Sequence, residues 1–282
     1  MSSRCITPFY KKEKTKGEHI PFPCGKCPPC KKRRTSGWSF RLVKEGERSN
    51  SALFVTLTYD TQYVPITPHG YMTLELKDLQ KFFKRLRKIS NQQLKYYAVG
   101  EYGSTKKRPH YHIILFNANP EHIKRAWALN NHLIGTYHIG NVSAASIGYT
   151  LKYMSKKSQI PMHQNDDRKK EFSVMSKGLG SNYLTEAMIK WHKCQLEQRM
   201  YVPIEDGKKI AMPRYYKDKM YSEEEKGKIN QYMVKISEEI DIKISQEFSS
   251  FTEQEKVMSE RHIFAFRKMQ KIAELERKNN YL

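Results

Sequence analysis

Apolar positions along the chain change rhythm several times, and each rhythm predicts an element. Residues 53–59 (LFVTLTY) crowd β-branched and aromatic side chains into a short run bounded by polar sequence, which reads as a strand. Between residues 76 and 90, Leu79, Phe82, Phe83 and Leu86 fall at i, i+3, i+4 and i+7, with lysines and arginines between them. That spacing predicts a helix with one packed side and one basic side. Residues 95–101 (KYYAVGE) and 110–116 (HYHIILF) are two further strands around a polar, Gly- and Pro-containing loop, the signature of a hairpin. A short helix at about 120–130, a strand at about 137–142 and a helix at about 144–157, with Ser143 as its N-cap, follow. Strand, helix, strand, strand, helix, strand, helix predicts an α+β fold: an antiparallel central β-sheet with flanking helices, expected on one face.

The flanks of this unit read differently. Residues 1–36 contain Pro21, Pro23, Gly25, Pro28 and Pro29 and end on Lys31, Lys32, Arg33 and Arg34, so they are expected to be an irregular basic arm. Residues 37–160 form the expected central domain and 161–216 a basic mixed extension with one helix at about 183–200. From 217 to 282 the chain reads as a helical tail, with Ile229, Tyr232, Met233, Ile236, Ile240 and Ile244 in one stripe and a second helix at about 252–277. No internal repeat is visible.

Charge narrows the function. The 282 residues carry a formal net charge of +22, far more than solubility needs, which points to a polyanionic partner. Of the 51 Lys/Arg and 29 Asp/Glu, 13 of each lie from residue 217 onward, so the whole excess belongs to the first three quarters and the tail is neutral. No basic segment carries a Trp/Leu-rich apolar face, so nucleic acid is favoured over a membrane surface. No run of 18 apolar residues and no signal-peptide pattern occurs, and the reading is of a soluble intracellular protein.

Three groups of residues carry candidate chemistry. His110 and His112 alternate along one strand and therefore share a face. If Glu101 pairs opposite His110, its carboxylate joins both imidazoles, and a one-residue slip would remove it. Two imidazoles and a carboxylate without thiolate suit Mg²⁺ or Mn²⁺ working on phosphate, and imidazole would also accept zinc. On the following helix Tyr149, Lys152, Tyr153 and Lys156 gather on the side away from the Ile147, Leu151 and Met154 stripe. Paired tyrosines at i, i+4 are ordinarily core, but these stand off the stripe beside lysines, which favour an ionised phenol. Two phenols that reach one phosphate in turn suggest cleavage followed by strand transfer.

The third group is Cys24, Cys27 and Cys30, spaced Cys-x-x-Cys-x-x-Cys with Gly and Pro between, which permit a structural Zn²⁺ site with Cys5 or His19 as fourth ligand. Five cysteines in all, an odd number, do not make a disulfide framework. Lys31, Lys32, Arg33, Arg34, Lys106, Lys107 and Arg108 are the candidate DNA-backbone contacts.

At residues 54–60 (FVTLTYD), 78–87 (DLQKFFKRLR), 99–103, 108–112 (RPHYH) and 149–156 (YTLKYMSK) the sequence resembles the HUH endonucleases. More specifically it resembles the replication initiators of small single-stranded DNA phages, the microviruses and especially the gokushoviruses, over about residues 22–157. The resemblance implies rolling-circle replication in the host cytoplasm: binding of a single-stranded or supercoiled viral DNA origin, a nick that leaves a 5′-phosphotyrosyl link, and a 3′-OH. Host polymerase and helicase are the implied partners. It assigns His110, His112 and Glu101 as metal ligands, Tyr149 and Tyr153 as alternating nucleophiles, and Lys152 and Lys156 as their electrostatic partners. The competing reading from another class is a non-catalytic zinc-knuckle DNA-binding regulator, which leaves the His/Glu face and the tyrosines unexplained.

Overall fold

The computed structural model describes residues 5, 7–12, 19–155, 160–204 and 207–246. These fall into two units divided after Gly37 and after Tyr183, and each is taken by itself. In chain order the elements are β1 (Phe9–Lys12), β2 (His19–Phe22), α1 (Pro28–Glu47), β3 (Ala52–Thr58), α2 (Leu76–Ile89), β4 (Lys95–Tyr102), β5 (Pro109–Phe116) and α3 (Glu121–Ala126). Then come β6 (Ala128–Leu129), β7 (His132–Leu133), β8 (Tyr137–Asn141), α4 (Ala144–Ser155), β9 (Phe172–Met175) and a 3₁₀ turn at Ser181–Tyr183. α5 (Glu186–Cys194), β10 (Tyr201–Pro203), β11 (Lys209–Ala211), α6 (Arg214–Met220) and α7 (Glu223–Gln246) complete the described chain.

The unit from Trp38 to Tyr183 is α+β, built on a five-stranded antiparallel sheet in the order β8-β3-β5-β4-β9. β5 is the middle strand, so its side chains have neighbours on both flanks. Helices cover both faces of this sheet, where one covered face was expected. On one face Val55, Leu57, Ala98, Tyr111, Ile113 and Leu115 meet Leu79, Phe82, Phe83 and Leu86 of α2. Burying those four α2 side chains contributes roughly 6–12 kcal/mol at about 1.5–3 each, before chain entropy offsets it. On the other face Tyr97, Val99, Ile114 and Phe116 meet Leu42 of α1 and Ile147 and Leu151 of α4. The near-continuous apolar run at 113–116 reflects this double burial, since a strand covered on both sides has no solvent face to alternate toward.

α1 replaces most of the expected irregular arm. Pro28 and Pro29 occupy its first two positions, where a missing N–H leaves no helical bond unmade and the fixed φ suits a helix. Prolines that would break a helix from within therefore start this one. The β9 edge strand and the β10–β11 hairpin lie inside the segment expected to be mixed. Within its own unit α7 buries Ile229, while Met233 and Ile242 are exposed, so the predicted stripe is only partly covered. The helix expected at 252–277 lies outside the described residues. No helix among the described residues is long and apolar enough to cross a membrane.

One glycine sets how the sheet closes. A Cβ on Gly135 would stand 1.8 Å from the Thr58 carbonyl oxygen, so only glycine lets the chain before β8 pass the end of β3. There Thr58 N–H donates to Thr136 O at 3.0 Å.

Candidate active site

The β4–β5 register puts Glu101 opposite His110 and Val99 opposite His112, the pairing that brings the carboxylate and both imidazoles to one face. Tyr111, between the two histidines, points to the other face and is fully buried. Its hydroxyl meets Tyr59 OH at 2.9 Å, accepts from Glu75 N–H at 2.9 Å and lies 3.0 Å from Glu75 O. The middle residue of the His-Tyr-His run thus anchors the strand from behind while its neighbours face the site.

β3 supplies residues that sequence reasoning did not single out. Thr56 pairs with His112 and Thr58 with His110, and each threonine hydroxyl lies 3.0 Å from the Nδ1 of its histidine. The two Nδ1 atoms are thereby engaged and each ring presents Nε2, an orientation typical of metal-ligating histidines with a partner on the other nitrogen. The signal was in the sequence as the Thr-x-Thr alternation in FVTLT, but only the register joins it to the histidines. Gly103 makes a related allowance, since a Cβ there would stand 3.0 Å from His110 Nε2.

Glu101 is 5% exposed and its Oε1 lies 2.7 Å from His112 Nε2. Burial alone would raise its pKa, yet the hydrogen bond and charge of His112, with hydrogen bonds from Tyr153 and Tyr149, outweigh burial and hold the carboxyl below its usual value. His110 is shifted down, first by burial and then by the like charge of His112, so its imidazole is neutral at pH 7 and available as a ligand. The two histidine ring centroids are 6.4 Å apart, and Phe54 stacks on His112 at 5.8 Å.

α4 brings the tyrosines to this same face. Ser143 caps it, accepting from Ser146 N–H at 3.2 Å, and Ile147 N–H closes the first turn on Ser143 O at 3.0 Å. Tyr149 OH donates to Glu101 Oε1 at 3.1 Å and lies 3.5 Å from His112 Nε2; its ring meets that of His112 edge-on at 4.9 Å. Tyr153 OH donates to Tyr149 OH at 3.2 Å. Both phenols are half-buried, and Tyr153 also packs beside Ile147 and Leu151, so the tyrosine side of α4 does not turn away from the sheet. The Tyr153 phenol is pushed well above its ordinary pKa, first by burial and then by the Glu101 carboxylate. Lys152 is half-buried in the last turn of α4. Lys156 lies outside the described residues.

The basic candidates are dispersed. Lys106, Lys107 and Arg108 lie in the β4–β5 loop, where the Arg108 guanidinium donates to Tyr59 O at 2.7 Å and Thr61 Oγ1 at 3.0 Å and so braces the end of β3. Lys31, Lys32, Arg33 and Arg34 sit on α1, in the other unit, with Lys32 and Arg34 exposed. Cys24, Cys27 and Cys30 gather with Cys5 in that same unit.

The donor set fits a hard divalent cation: two imidazoles oriented through Nδ1, one buried carboxylate, and no thiolate. A histidine pair on a central strand, an acid across the hairpin and two phenols on a following helix define a protein with a candidate phosphoryl-transfer centre on an α+β sheet. Residues 52–158 match the model of a family of replication-associated proteins, the ORF2 and gene 2 protein family, which makes that segment, the whole of the candidate centre, a domain of this family. The chain is 29% identical over 216 residues to the replication-associated protein VP4 of Bdellovibrio phage phiMH2K, covering 70% of this chain and 66% of that one. It is 29% identical over 229 residues to the replication-associated protein ORF2 of Spiroplasma virus 4, covering 71% and 68%. A third relative, the replication-associated protein ORF4 of Chlamydia phage 1, is 24% identical over 226 residues, which span 71% of this chain and 53% of that protein. The chain thus spans about two thirds of the first two relatives and about half of the third. No solved structure shows a significant match.

Proposed function

We propose that this protein initiates phage DNA replication by nicking one strand of an origin through tyrosine. The observation that carries this reading is the contact chain from His112 and Glu101 to Tyr149 and on to Tyr153, every link within 3.5 Å. Core tyrosines at i, i+4 would have no reason to converge on a buried acid and an oriented imidazole.

In the proposed step the Tyr149 oxygen attacks the scissile phosphorus. A bond forms between phenol oxygen and phosphorus, the bond to O3′ breaks, and the phenol proton is replaced by the phosphoryl group while the 3′ oxygen leaves as a hydroxyl. The ester conserves the free energy of the broken phosphodiester, so a later 3′-OH can displace the tyrosine and close a circle without ATP. Tyr153, one helical turn on and bonded to Tyr149, is placed to take the second phosphoryl group. Glu101 alone works against ionising the phenols, as the upward shift of Tyr153 indicates, so positive charge at Glu101 and His112 is needed to reverse that effect. Bound Mg²⁺ or Mn²⁺ on His110, His112 and Glu101 would supply that charge and polarise the phosphate. The protein's own part is to fix the imidazoles through Thr56 and Thr58, hold the carboxylate buried, and keep both phenols at the same spot. The net charge of +22 supports a nucleic-acid substrate, and the relatives' printed role supports phage DNA replication.

The test is covalent capture. With Mn²⁺ and a labelled single-stranded origin oligonucleotide, the wild-type protein should form an adduct that survives denaturation, and the Tyr149→Phe/Tyr153→Phe double variant should form none. An adduct of undiminished yield in the double variant, or none in the wild type with any origin segment, would overturn the reading.

A further inference from the structure

The cysteine cluster has no part in the nicking site and belongs to the other unit. Its four Sγ atoms, from Cys5, Cys24, Cys27 and Cys30, all lie within 4.8 Å of one another, with Cys5 and Cys27 at 3.7 Å. Four thiolates around one tetrahedral ion at about 2.3 Å stand about 3.8 Å apart, so the spacing is that of a mononuclear centre. It is tighter than four free thiols would need. Disulfides are not formed among them.

The backbone around the cluster has the second layer such a site needs. Lys26 N–H and Cys27 N–H both donate to Cys24 Sγ, at 3.4 and 3.3 Å, and Cys24 N–H donates to Cys5 Sγ at 3.2 Å. The turn that aims two amides at one sulfur depends on Gly25, whose φ of 72° favours glycine. Three sulfurs thus come from one tight turn and the first turn of α1, where Cys30 lies, and the fourth is far away in sequence. Amide donation to sulfur stabilises thiolate over thiol, and Lys26, Lys31 and Lys32 next in sequence offset the negative charge that four thiolates leave on a divalent ion.

We propose that Cys5, Cys24, Cys27 and Cys30 hold one structural Zn²⁺, which ties the segment before β1 to the start of α1. All four tetrahedral positions are filled by protein, so the ion takes no substrate and its role is to hold the β1–β2 hairpin in place. Zinc is favoured over Mg²⁺ or Mn²⁺ by the all-sulfur donor set, and over an iron–sulfur cluster by the close sulfur spacing. The inference is independent of the nicking mechanism.

The experiment measures metal content of the full-length protein purified under reducing conditions without chelator, alongside Cys24→Ser/Cys27→Ser and His110→Ala/His112→Ala variants. Wild type and the histidine variant should each carry one zinc per chain, and the cysteine variant should lose it. Reconstitution of the wild type with Co²⁺ should give the intense visible and charge-transfer absorption of a tetrahedral thiolate site, a readout that stands even if the cysteine variant does not fold. Absence of zinc from the wild type, iron in its place, the weak spectrum of six-coordinate Co²⁺, or zinc lost from the histidine variant instead would overturn the assignment.

Discussion

Replacing Thr56 or Thr58 with valine tests the site at the point where β3 enters it. Valine keeps the β-branched shape and strand preference of threonine and removes only the hydroxyl, so the change is confined to one hydrogen bond. His112 is 8% exposed, so an Nδ1 abandoned by Thr56 has little access to water, and an unmet buried polar atom costs about 1–3 kcal/mol. His110 is less buried and can recruit water in place of Thr58, which puts Thr58→Val at the low end of that range. Groups that orient metal-binding histidines typically contribute about 10–100-fold in affinity, or roughly 1.4–2.7 kcal/mol. Thr56→Val should therefore raise the Mn²⁺ concentration for half-maximal oligonucleotide cleavage by at least about tenfold, and Thr58→Val by less. The pair share one ion, so their effects should not simply add in the double variant. Mn²⁺ titration by calorimetry beside the cleavage assay separates affinity from turnover. Should Thr56→Val bind Mn²⁺ as wild type does, or should Thr58→Val prove the more damaging, the orienting role of these hydroxyls is refuted.

Further expectations concern the phenols, the reverse face of β5 and the titration of the site. Tyr149→Phe should abolish the first nick, because its hydroxyl lies against both Glu101 and His112, whereas Tyr153→Phe should still nick but lose strand transfer; the opposite pattern in a two-step oligonucleotide assay reverses the assignment. Tyr111→Phe leaves the Glu75 amide without its partner and should cost about 1–3 kcal/mol in urea denaturation while Mn²⁺ affinity holds, and a large affinity loss without destabilisation would contradict its placement behind the sheet. In the metal-free protein the His110 ring, monitored by NMR, should titrate below its ordinary 6.5. The sign follows from the neutral form being preferred in the fold. The contribution of His110 to stability is complete above pH 6.5 and is lost as pH falls through the lower folded value, so a titration midpoint above 6.5 would be inconsistent with the site.

Much of the fold was legible because its elements obey local rules. The α2 stripe of Leu79, Phe82, Phe83 and Leu86 is buried as its spacing requires, and the His110–Phe116 run and its partner strand form the expected hairpin. Where local rules mislead, the reason is positional. Pro28 and Pro29 suggested irregular chain because proline breaks helices from within, yet at the first turn of α1 it begins one. The helices on the second sheet face were missed because α1 carries no strong apolar stripe, and burial of the strand residues on both sides erases the alternation that would have announced it.

By itself the sequence determined the cast: histidines at alternate positions of one strand, a glutamate in the strand before it, two phenols one helical turn apart, three cysteines at even spacing, and an excess of positive charge ahead of a neutral tail. Those are consequences of period and composition, which any reader of the chain can extract. Tertiary structure alone decided who meets whom. The β4–β5 register turned Glu101 toward the imidazoles, the β3–β5 pairing set two threonines on their Nδ1 atoms, the placement of α4 delivered Tyr149 to the acid, and chain closure carried Cys5 to the other three sulfurs. Each depends on contacts between residues distant in sequence, where spacing along the chain carries no information about distance in space.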